Sequence, residues 1–152
     1  MRLLGSESAS CTTCVAGPEP IDPSAYHAHV SPKDKPQLAR EHLERALPAV
    51  MADDYTEAVT WLFAALEAAI AALADQHGVT IEPKHWKKVD AAEELYAQRA
   101  VPVDFAPALR TLNEARKKAV YEGEEPDLGD QSLEDLATDI EMAVDLAERG
   151  AS

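Results

Sequence analysis

Positive charge is scarce in this 152-residue sequence: 14 Lys and Arg stand against 28 Asp and Glu, a net charge of −14. A field of that sign repels phosphates at long range, which excludes broad non-specific binding of nucleic acid and leaves only a local basic patch to act. The same acidity, with a pI near 4.6, favours solubility. Long apolar runs are also missing. The most apolar one, WLFAALEAAIAALA (61–74), reads as too short for a membrane span and is interrupted by Glu67, so no membrane association is expected. The opening MRLLGSESAS turns polar before the apolar core of a secretory signal can form, and a cytoplasmic location is the expectation. Two cysteines in that setting read as thiols rather than as a structural disulfide. The chain also lacks strand-like alternation, internal repeats, a Gly-rich phosphate loop, a nucleophile elbow and an H-E-x-x-H pair.

What is present falls into two parts. Residues 1–36 hold Pro18, Pro20, Pro23, Pro32 and Pro36 with Gly5 and Gly17, and show no helical period. They are expected to form a flexible arm. From 37 to 150 the apolar residues recur with a helical period, which predicts an all-α, four- to five-helix up-and-down bundle. The first helix carries Leu38, Leu43, Ala46, Leu47, Val50 and Met51, with a kink or short break expected at Pro48. The second runs from about Asp54 to His77 and is apolar nearly all round, which makes it the central one, with Gly78 as its left-handed stop. The third, KHWKKVDAAEELYAQRA, follows Pro83 and is expected to turn Trp86, Val89, Ala92, Leu95 and Tyr96 inward. Asp104 is a candidate N-cap for the fourth, whose face is Phe105, Ala108, Leu109, Leu112, Ala115 and Ala119. Ser132 caps the fifth, with its seam at Leu133, Leu136, Ile140, Val144 and Ala147.

One charge falls inside this pattern. At about 100° per residue from Phe105, Arg116 lies near 20°, within the apolar face of the fourth helix, whereas Lys117 and Lys118 point to its flanks. A guanidinium in such a seam must be paired, or must line an interface or cleft. Two readings stand side by side: a buried arginine satisfied by a carboxylate such as Glu67 of the neighbouring helix, or a binding site.

The order of elements resembles a HEPN domain, a small helical bundle of prokaryotic toxin–antitoxin and defence systems. The resemblance covers about Pro36 to Arg149. It rests on AREHLERALPAVMADDYTEAVTWLFAALEAAIAAL, on Gly78 and His85 before the next helix, and on LNEARKKAVYEG before the last. Active HEPN ribonucleases carry an Arg and, after four to six residues, a His, facing their copy across a homodimer and cleaving RNA without metal. Arg116 matches the Arg, but Tyr121 occupies the His position. In toxins paired with nucleotidyltransferase antitoxins a Tyr lies two residues further on, where this chain has Gly123. The departure matters chemically. A neutral imidazole takes a proton from a 2′-hydroxyl near pH 7, whereas a phenol is a poor base there. Arg116 retains the capacity for a bidentate phosphate contact and Tyr121 for stacking or hydrogen bonding.

The resemblance thus implies a homodimer and an RNA- or nucleotide-associated component of toxin–antitoxin or defence type, partnered by an antitoxin or nucleotidyltransferase-type protein. Its ribonuclease motif, Arg116 with Tyr121, is degenerate and weakly active or inactive. Asn113, Lys117 and Lys118 are the candidate nucleic-acid contacts beside it. The alternative is a non-catalytic acidic protein–protein interaction module.

No cofactor is expected in the bundle. In the arm, Cys11 and Cys14 have the spacing of a zinc knuckle, and His27 and His29 complete a possible tetrahedral set, although one intervening residue is fewer than a finger uses. The other reading is two incidental thiols in a tail. His42 and His85 are read as structural, and Glu122, Glu124, Glu125 and Asp127 as a solvated loop.

Overall fold

The computed structural model describes residues 34–84 and 87–151. Cys11, Cys14, His27, His29, His85 and Trp86, and with them the expected zinc set, lie outside the described residues. The described residues are helical, with no strand among them: α1 (Lys35–Met51), α2 (Tyr55–His77), α3 (Lys87–Ala97), α4 (Ala106–Lys117), a π turn (Lys118–Glu122) and α5 (Leu133–Gly150).

Helix α2 is the hub and packs against α1, α3, α4 and α5. Its composition explains that position, because Ala and Leu on every side let four neighbours approach. Leu62, Leu66, Ile70 and Leu73 are buried, and each contributes roughly 1.5–3 kcal/mol relative to exposure. The helix is bounded as its sequence predicts. The Asp54 side chain accepts from the Glu57 N–H at 3.2 Å, and Gly78 closes it at φ 71°. With 23 residues and a mean hydropathy of 1.6, α2 does meet the length and composition of a membrane span, contrary to the expectation from the shorter run within it. Two-thirds of that stretch (67%) is covered by the rest of the bundle, which accounts for its apolar character.

Helix α5 also follows its sequence. The Ser132 hydroxyl accepts from the Asp135 N–H at 3.1 Å while the Asp135 carboxylate accepts from the Ser132 N–H at 3.4 Å, forming a capping box. Leu133, Leu136, Ile140, Val144 and Ala147 are all buried. Arg40 of α1 fastens this helix, donating from Nε to Glu148 at 3.1 Å and from Nη2 to Asp145 and Glu148. The hydrogen bond to Glu148 raises the Arg40 pKa above its ordinary value, burial opposes it, and Asp145 adds to the rise.

Three expectations change. The expected break at Pro48 does not interrupt α1, which continues to Met51. Pro48 is exposed in the last full turn, so water can satisfy the Glu44 carbonyl it leaves without a donor. Helix α3 is shorter than its pattern, and Tyr96 is 48% exposed instead of inward. The chain leaves α3 directly after that turn, with Arg99 in the left-handed region at φ 59°. Asp104 acts one position early: its carboxylate accepts from the Ala106 N–H at 3.0 Å, and Phe105 is the boundary residue of α4.

Candidate functional site

The site is built where α4 meets α2. Leu109, Leu112 and Ala115 are buried and fix the register of α4, so the next residue, Arg116, is carried against α2. Its guanidinium carbon lies 4.7 Å from the centroid of the Phe63 ring, and Phe63 is itself buried. Tyr121 is the second aromatic neighbour, with 5.9 Å between the same carbon and its ring centroid. Arg116 is therefore held against two aromatic rings by cation–π attraction.

Helix α4 passes directly into the π turn that carries Tyr121. A π turn closes i→i+5 hydrogen bonds in place of i→i+4 and recurs at functional sites. Gly123 ends it at φ 68°, where a glycine meets no steric cost, and the Glu124 N–H returns to the Lys118 carbonyl at 3.0 Å. Tyr121 stays 72% exposed and Val120 50% exposed. The junction thus presents an apolar ridge around one partly covered cation.

The polar complement of that cation is sparse. Nη2 donates to Asn113 Oδ1 at 3.4 Å, a long contact, and Nε is buried with no hydrogen-bond acceptor. No carboxylate among the described residues pairs with Arg116. Glu67, the candidate partner from sequence, instead meets Lys88 of α3 at 3.4 Å. With one long contact to Asn113 and no carboxylate partner among the described residues, the guanidinium keeps donor capacity for an oxyanion.

The other candidate residues separate. Asn113 is brought to Arg116. Lys117 pairs with Glu114 at 3.4 Å on the outer surface. Lys118 instead lines a cleft of about 380 Å³ with Arg110, Thr111, Glu114, Asp127 and Leu128, and Arg116 is not part of that lining. No group of three or more metal-ligating side chains occurs among the described residues. His42 packs its ring 5.4 Å from that of Trp61, and Arg45 covers the same indole at 4.9 Å. That is a packing role at the α1–α2 seam.

Sequence reasoning did not find Phe63 as the platform for Arg116 or the π turn. The only available signal was the shared phase of Arg116 with Leu109 and Leu112. No protein-family model, no curated protein and no solved structure matches the chain.

Proposed function

We propose that the chain is a HEPN-type bundle that dimerises through its α4 face and serves as an RNA- or nucleotide-associated component of a toxin–antitoxin or defence system. Its ribonuclease motif, Arg116 with Tyr121, is degenerate and weakly active or inactive. The observation that carries this reading is the missing carboxylate at Arg116. With acids outnumbering bases two to one, an arginine kept between helices for structure finds an acidic partner readily. Arg40 does so twice, on Asp145 and Glu148. Among the described residues Arg116 meets two aromatic rings and Asn113 but no carboxylate, an arrangement suited to receiving a phosphate.

Tyr121 supplies stacking or a hydrogen bond in place of general-base catalysis, so wild-type protein should show little or no metal-independent RNA cleavage at pH 7. Tyr121→His restores the family residue and should raise cleavage by about 10²–10⁴-fold, the usual contribution of a positioned base. The gain should vanish in an Arg116→Ala background. Strong cleavage by the wild type would sink the degenerate-motif reading. The second reading, a non-catalytic interaction module, draws on the exposed Val120 and Tyr121. It would be favoured by a folded, dimeric Tyr121→His protein with no gain at all.

A further inference from the structure

The same junction carries two kinds of unmatched charge. Among the described residues Arg116 has no carboxylate partner, and Glu122 at the end of the π turn and Glu124 and Glu125 after it are exposed and pair with no Lys or Arg. Along the chain between cation and anions come Val120 and Tyr121 of the π turn, both exposed large apolar side chains. A junction that joins exposed apolar side chains to both an unmatched cation and unmatched anions is self-complementary. In a two-fold dimer, residue i of one copy meets residue j of the other, and j meets i in return.

We infer that a second copy of this chain covers the junction, with Arg116 of each copy paired to the acidic segment 122–125 of the other. This rests on the dimer reading above and adds the identity of the groups that close it. The pairing accounts for three features together. It covers the exposed Val120 and Tyr121. It gives Nη2 of Arg116, whose acceptor in its own chain is Asn113 at 3.4 Å, a charged acceptor. It also sets two local attractions against the repulsion of two chains that each carry −14. Occupied in this way, the guanidinium edge is closed to a phosphate until the carboxylate is displaced, in keeping with weak activity.

Charge reversal in two separate proteins tests the inference. Arg116→Glu places like charges opposite each other at both pairs of its homodimer. The triple variant Glu122→Lys, Glu124→Lys, Glu125→Lys does the same with the opposite sign. Each should dimerise about tenfold or more weakly than the wild type, since close interfacial charge pairs are coupled at least that strongly. An equimolar mixture should recover a species of twice the 16.4 kDa chain mass, because both pairs are attractive in the mixed dimer. Light scattering reads the masses, and circular dichroism checks that each variant is folded. Should Arg116→Glu not fold, the triple variant alone, altered only at exposed positions, must still dissociate. Wild-type-like dimers in the triple variant, or two folded variants whose mixture stays monomeric, would overturn the reciprocal pairing and leave the dimer standing. A monomeric wild type at high concentration would overturn both.

Discussion

The Arg116 guanidinium rests on the face of Phe63, 4.7 Å from its centroid, and so an arginine of α4 is anchored by an aromatic of α2 without an ionic partner among the described residues. The contact has a measurable coupling. Phe63→Leu keeps most of the volume but removes the quadrupole, and should lower stability by about 1–2 kcal/mol. In an Arg116→Met background the same change should cost less, leaving a coupling of about 0.5–2 kcal/mol in a double-mutant cycle read by denaturant unfolding. Strict additivity would show that the stacking is incidental.

Arg40 offers the contrasting case, an arginine forked onto Asp145 and Glu148 across the α1–α5 seam. Its side chain is 28% exposed, so the pair is partly screened. Arg40→Met should cost about 1–3 kcal/mol, the range for hydrogen bonds to charged groups, and the cost should shrink at high salt. An unchanged unfolding midpoint at low salt would contradict this role.

Asp139 sits on α5, where burial first and the nearby Asp135 second raise its carboxyl pKa above the ordinary value. A raised folded-state pKa means that the fold favours the protonated form. Its contribution is present below the unfolded-state value and is lost as pH rises through the folded-state value. Asp139→Asn removes that loss. It should therefore melt at a higher temperature than the wild type at pH 7, with the two curves converging as pH falls below the ordinary carboxylate range. A variant less stable at pH 7 would show that the ionised Asp139 makes a contact worth more than its desolvation costs.

Where local chemistry decided an element, the sequence was readable. Asp54 and Gly78 bound α2, Ser132 and Asp135 open α5, and the buried seam of α5 repeats with the period of the helix. Tyr96 and Pro48 were misread because a neighbour's position decided them: an apolar residue in a last turn has no fixed inward side, and an exposed proline near a helix end leaves its carbonyl to water. Arg116 was legible as an anomaly of phase. Its surroundings were not, since nothing in the chain marks Phe63 as the platform or Lys88 as the residue that claims Glu67.

The π turn gives the five-residue interval between Arg116 and Tyr121 a meaning that counting along the chain does not. In an uninterrupted α-helix that interval corresponds to about 140° of rotation, which would carry the tyrosine well away from the arginine. The widened turn absorbs part of this rotation, and the two side chains meet. Their encounter is therefore encoded by local winding as much as by residue identity. Loss of one residue from 118–120 would shorten the interval to four, which a regular α-helix already carries to about 40° on one face, so the π turn is what lets a spacing of five achieve the same meeting.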